Sequence, residues 1–191
     1  MPRRSVLVLV LLTAGLISVL VWFNSIGRLA HADPAGLKEL SKELTIDVAC
    51  DGRTYRQNNV DAAAPGSRRG DTFIVSGKIY PAGTIPAGSG VFSPDNPGSI
   101  GNWTCRGVWL VSSEELANGA SPAFDTSQIY LLPDETKQIF SEGLEGPIPT
   151  LRAVTGGTGS ASGVSGQVRQ ELLGTNATGL FNFRFTFRIS A

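Results

Sequence analysis

Apolar and polar residues alternate with a period of two along most of the chain. Leu44, Ile46 and Val48 alternate with Thr45, Asp47 and Ala49, and the run stops at Asp51-Gly52. Thr72 to Tyr80 repeats the pattern, with Phe73, Val75 and Ile79 on one face. Further runs follow at Thr104–Ser112, which carries Trp109, and at Thr126–Leu132, Lys137–Glu142, Thr150–Thr155 and Gln167–Leu173. In the last run Phe181, Phe183, Phe185, Phe187 and Ile189 share one face, and Asn182, Arg184, Thr186 and Arg188 take the other. Strand side chains point alternately to opposite sides, so this period predicts β-structure. Eight short strands punctuated by Gly and Pro predict an all-β domain, a sandwich or a barrel. A barrel leaves no exposed edge.

No helix longer than about two turns is expected. The segment 57–70 reads as a polar loop, and Pro133-Asp134-Glu135-Thr136 as a hairpin connection. Residues 81–103 hold four prolines and five glycines. A break this long is a lid, a binding loop or a loosely ordered surface segment.

The first 32 residues follow a different pattern. Arg3 and Arg4 precede an uncharged apolar run from Ser5 to Phe23, and Ala30-His31-Ala32 places small residues before Asp33. This is the layout of a secretory signal peptide, with an apolar run close to the length that spans a bilayer. Residues 1–32 are therefore read as a signal peptide or an uncleaved N-terminal anchor, 33–42 as a linker, and 43–191 as the barrel domain. Either form exports the domain, so the expected location is secreted or extracytoplasmic. Membrane contact is expected only through the N-terminal segment, if it stays uncleaved.

Export changes the reading of the cysteines. Cys50 and Cys105 are the only two, and an even count in an exported domain predicts a disulfide. Closing that loop of about 56 residues would stabilise by roughly 4 kcal/mol. A plain meander of strands this short, however, would put Cys50 and Cys105 at opposite ends of the barrel.

The chain has 191 residues and one histidine, His31, which lies in the leader. Ser-His-Asp and Cys-His catalysis and histidine-ligated metals are therefore excluded from the domain. No clustered acids stand at ligand spacing, so neither a metal nor a cofactor is expected. Without the leader's three arginines, 13 basic groups face 16 acidic ones, which argues against nucleic acid as a partner. Acid–base chemistry falls to carboxylates or to Tyr55, Tyr80 and Tyr130. Asp47 is expected to be solvated opposite the Leu44/Ile46/Val48 face, and Asp134 and Glu135 to sit on a solvated turn.

Residues 151–170 read Leu-Arg-Ala-Val-Thr-Gly-Gly-Thr-Gly-Ser-Ala-Ser-Gly-Val-Ser-Gly-Gln-Val-Arg-Gln. The stretch Ala153–Gly159, then Gly163, then Gly166-Gln167-Val168, resembles the allene oxide cyclase family, which shares its barrel with the dirigent proteins. The aromatic run Phe181–Ile189 is similar to that family's C-terminal strand. The resemblance implies an eight-stranded, mostly antiparallel barrel, a homotrimer, and cyclase or isomerase chemistry on an apolar molecule. Gly156, Gly157, Gly159, Gly163 and Gly166 are read as structural, allowing sharp turns and close chain approach. A phosphate loop is excluded, because the Gly-Lys-Ser/Thr ending and a following helix are missing.

The departures limit what carries over. Ser160-Ala161-Ser162 stands where plant cyclases have a bulky and an acidic residue. Their glutamate and asparagine have no match here, and Cys105 and Tyr130 correspond only by position. No residue is assigned catalysis. Trp109, Tyr130, Phe181, Phe183, Phe185 and Phe187 are the candidates for a packed core or a pocket wall. Three readings remain: an exported barrel binding an apolar small molecule, a cyclase or isomerase acting by confinement of its substrate, and a filled structural barrel with no ligand.

Overall fold

The computed structural model describes residues 42–190 apart from 64, 65, 89, 91, 135, 147 and 148. The leader and most of the linker lie outside the described residues. Among the described residues no helix is long and apolar enough to cross a membrane.

Eight strands, β1 (Lys42–Asn58), β2 (Thr72–Pro81), β3 (Gly101–Trp109), β4 (Phe124–Leu131), β5 (Gln138–Glu145), β6 (Thr150–Gly157), β7 (Ser165–Thr175) and β8 (Phe181–Ser190), form a closed antiparallel barrel. Each strand pairs with the next, and β1 pairs with β8 to close the circle. A single turn of helix, α1 (Ser113–Ala117), precedes β4. Ser112 and Glu115 cap it reciprocally, each side chain bonding the other's backbone amide.

The period-two pattern decides the interior. Leu44, Ile46 and Val48 of β1 face Phe187, Phe185 and Phe183 of β8 across the seam. With Ile79, Trp103, Tyr130, Ile139, Val154 and Val168 they form one packed core. The rings of Phe185 and Phe187 lie 5.2 and 4.9 Å from Tyr130, edge to face.

Phe181 departs from the expected inward comb. It lies at the rim and is 44% exposed, still touching Phe183 at 5.9 Å. Asp47, expected to be solvated, is instead buried in an ion pair with Arg184, whose side chain stays 32% exposed on the outer face. Asp47 is 0% exposed and accepts from Arg184 Nε (2.8 Å) and Nη2 (3.1 Å). It also accepts from the backbone amides of Gly83 (2.8 Å) and Ile85 (3.1 Å). The 81–100 segment lies over this outer face of β1 and supplies those amides. Tyr80 helps to hold it, bonding the carbonyls of Pro94 and Asn96. Four hydrogen bonds offset the cost of burying the carboxylate.

The expected disulfide is absent: Cys50 and Cys105 are buried free thiols. The strands do form a plain meander, but β1 runs on past Asp51-Gly52 through a bulge between Asp51 and Arg56. Gly52 serves close approach rather than a turn, since a Cβ there would lie 2.2 Å from the Thr178 carbonyl oxygen. Cys50 therefore sits in mid-strand, opposite Gly77 of β2, while Cys105 faces Val75 on the other side of β2. One strand lies between them, so their backbones stand about 9–10 Å apart laterally. A disulfide needs roughly 4.4–6.8 Å between Cα atoms.

Burial pushes both thiols up, reinforced at Cys50 by Cys105 and at both by Glu145. The reactive thiolate is thereby suppressed. Native protein is expected to resist iodoacetamide, and the unfolded chain to take up two labels without prior reduction. Mass spectrometry of both states reads the outcome.

The glycine motif lies at the β6–β7 connection. Val154 and Gly156 pair with the consecutive β5 residues Ser141 and Phe140, leaving Thr155 as the extra residue of a register shift, and a 3-10 turn, Gly159–Ala161, follows. A Cβ at Gly159 (φ +58°) would meet the Thr136 carbonyl oxygen at 2.6 Å, and one at Gly166 that of Arg188 at 2.2 Å.

Candidate ligand-binding site

Interior side chains become polar toward the end of the barrel where β1 finishes and β2 starts. On β4 the inward residues are Phe124, Thr126, Gln128 and Tyr130; on β5 they are Ile139, Ser141, Gly143 and Glu145; on β6, Thr150, Arg152 and Val154. Gly143 adopts φ +150°, a conformation open to glycine, and a Cβ there would lie in ordinary contact with the Cα, Cβ and Cγ of Arg152 at 3.6–3.9 Å.

The Arg152 side chain is wholly buried. Its guanidinium donates to Thr126 Oγ1 (2.5 Å), the Thr126 carbonyl (2.8 Å), Glu145 Oε1 (3.0 Å) and the carbonyls of Gly143 (3.2 Å) and Ser141 (3.3 Å). Its Nε adds Ser141 Oγ at 3.4 Å. Glu145 Oε1 also receives Thr126 Oγ1 (2.7 Å) and Gln128 Nε2 (2.8 Å). Below them, Trp103 Nε1 (3.2 Å) and the Tyr130 hydroxyl (2.5 Å) both donate to Gln128 Oε1. Burial raises the Tyr130 phenol, with Ser141 and Arg152 opposing. It is a neutral donor, not a base.

Above this network the barrel end is aromatic. Tyr55, Phe73, Trp109 and Phe124 are half-buried. Their rings follow one another: Tyr55 stacks on Phe73 at 5.9 Å, Phe73 meets Phe124 at 5.4 Å, and Phe124 meets Trp109 at 4.6 Å. Gly107 makes room for this, since a Cβ there would overlap the Phe73 ring and the Thr126 methyl at 2.7 Å. Phe181 adds the β8 side of the rim, its ring 5.9 Å from the buried Phe183.

Of the aromatic candidates, Tyr130, Phe183, Phe185 and Phe187 fall in the packed core, and Trp109 and Phe181 at the mouth. The period-two reading did not pick out Glu145, Arg152 or Gln128. The one available signal was parity, and on β6 it misleads: Leu151 is 62% exposed and Arg152 2%.

The rim is tied to the 59–71 segment through Asp71. The Tyr55 hydroxyl donates to Gln57 Oε1 (2.7 Å), and Gln57 Nε2 donates to Asp71 Oδ2 (3.1 Å). Asp71 also accepts the amides of Val60 (2.7 Å) and Arg68 (2.8 Å). Burial works against its charge, but those amides and Gln57 outweigh it and hold the carboxyl below its ordinary value. A depressed acid stabilises the fold above its unfolded pKa, and that contribution is lost as pH falls below about 4. Protection of the Val60 and Arg68 amides from exchange, measured against the unfolded chain at the same pH, is expected to fall in that range. In Asp71→Asn it is expected to be low already at neutral pH.

Two hollows of about 310 and 140 Å³ lie on the outer wall, the larger over Arg106, Val108 and Asp125, the smaller beside Leu151, Arg169 and Arg188. The larger also touches Phe73, one of the four rim rings, together with Gly107 and Thr126. Among the described residues no three His, Cys, Asp or Glu side chains come together as metal ligands.

No family model matches the chain, and no curated protein matches it. Solved structures do. Pyocyanin demethylase superposes with a TM-score of 0.52 at 17% identity, over 78% of this chain and 100% of that one. The pterocarpan synthase dirigent protein PsPTS1 gives 0.59 at 9% identity, over 80% of this chain and 96% of its own. A second, GePTS1, gives 0.53 at 10% identity, over 78% and 86%. At these identities the likeness is one of fold, and the fold is the allene oxide cyclase-like barrel shared by the dirigent proteins and pyocyanin demethylase.

Proposed function

We propose that the protein is an exported member of the allene oxide cyclase and dirigent-like barrels that binds a planar, largely apolar small molecule at the aromatic end of the barrel. The observation that carries this reading is the change in the interior along the axis. Phe185, Phe187, Tyr130 and Ile139 fill the floor, whereas half-buried rings surround the mouth above a satisfied polar layer. Flat, half-exposed ring faces at this barrel end favour an aromatic guest by offset stacking. Pyocyanin demethylase and pterocarpan synthase are names of proteins that act on or make small molecules, and a similar use is proposed here. Export rests on Arg3, Arg4, the apolar run and Ala30-His31-Ala32. The resemblance also implies a homotrimer, which light scattering reads directly.

The test is a titration with Nile red. Saturable binding, one dye per barrel, is expected to quench Trp109 emission, and Phe124→Ser is expected to weaken it at least tenfold. No saturable binding to folded protein would overturn the reading. Turnover is the second reading, favoured by Glu145, a carboxylate beside the mouth whose side chain is 18% exposed.

A further inference from the structure

We infer that the larger hollow on the outer wall binds a small zwitterion of the amino-acid type, one molecule carrying both an ammonium and a carboxylate. The hollow measures about 310 Å³, at the small end of the range for ligand pockets, and Arg106 and Asp125 both line it. Alternation along β3 places them. Trp103 and Cys105 are buried in the interior, so Thr104, Arg106 and Val108 point outward. Arg106 pairs with Ser127 of β4, and Val108 with Asp125. Arg106 and Asp125 are therefore diagonal neighbours on adjacent strands, with backbones about 7–8 Å apart.

Opposite charges at that spacing can reach each other. These two do not: no ion pair joins them, and neither side chain bonds any other of the described residues. Ser127, the residue directly opposite Arg106, gives its hydroxyl to Glu142 instead (3.2 Å). The hollow thus has a free guanidinium and a free carboxylate on its wall, with space between them. The guanidinium offers a planar fork to a carboxylate, and the Asp125 carboxylate accepts from an ammonium. Val108, 38% exposed, adds an apolar side for an aliphatic stem. A ligand with a single charge leaves one of the two groups unmatched. Of the rim aromatics the hollow touches only Phe73, so this site stands apart from the ligand proposed for the mouth.

L-Leucine, 4-methylpentanoate and 3-methylbutylamine carry the same branched stem with both charges, the carboxylate alone and the ammonium alone. In titrations of the folded, nitrogen-15-labelled protein at low salt, leucine is expected to shift the amides of Gly107, Val108 and Ser127. Its affinity is expected to exceed that of either analogue about three- to fivefold, the scale of one solvent-screened ion pair. The advantage over 4-methylpentanoate is expected to vanish in Asp125→Asn, and that over 3-methylbutylamine in Arg106→Gln. Both side chains are exposed, so neither change threatens the fold. Leucine that shifts none of these amides, or that binds no better than the two analogues, would overturn the site. Nile red binding that persists beside such a failure would leave the mouth standing.

Discussion

Arg152→Met is expected to lower the unfolding free energy by about 3–5 kcal/mol, the scale for removing one partner of a buried ion pair. The loss exceeds that of the pair alone. Glu145 loses its counter-charge, and the carbonyls of Thr126, Ser141 and Gly143 lose their common donor inside the wall. Methionine fills most of the volume, so the cost reports polarity rather than a cavity. Glu145→Gln in the same chain is expected to restore part of the loss, because an amide there tolerates an absent guanidinium. Urea unfolding of the two single variants and the double variant measures the coupling. Strictly additive effects would mean that the two side chains do not act as a pair.

Phe185→Ala is the second large effect, at about 3–5 kcal/mol. Phe185 is 0% exposed and packed among Trp103, Tyr130 and Phe183. Its removal leaves a hole at the centre of the barrel that rigid strands cannot close. Phe181→Ala, four residues earlier on the same face, is expected to cost under about 1 kcal/mol, since the ring is already at the surface. It is expected to weaken dye binding instead. Thermal melts of both variants beside Nile red titrations test this split. Equal stability losses would mean that the comb is uniformly core, with no mouth.

These two positions also show what was legible in the sequence. The β8 comb was, because five apolar residues at period two leave one sensible register; the antiparallel barrel was expected from the resemblance carried by the glycine motif, whereas the plain meander was left in doubt by the positions of Cys50 and Cys105. The polar layer was not. On β6, Leu151 and Ala153 outrank Arg152 in hydropathy, yet Arg152 faces inward. What decides it is the set of acceptors supplied by β4 and β5, which no local pattern contains. Asp47 points outward as its parity requires, but its burial comes from a segment 36 residues away in sequence, at Gly83. The apparent strand end at Asp51-Gly52 failed for a similar reason. The glycine is there for Thr178, which the chain reaches 126 residues later.

The pairing of Lys42 with Ile189 and of Ala49 with Asn182 makes the seam the longest-range contact set in the barrel. Every other wall joins strands that follow one another. Closure therefore waits for β8, and loop-closure entropy makes that step slow. The same adjacency makes the domain a candidate for circular permutation. A short linker from Ser190 to Lys42, with the chain opened at the exposed Pro133–Asp134 turn, would turn the seam into a hairpin. Folding would then begin with the pair of strands that nature's connectivity leaves until last.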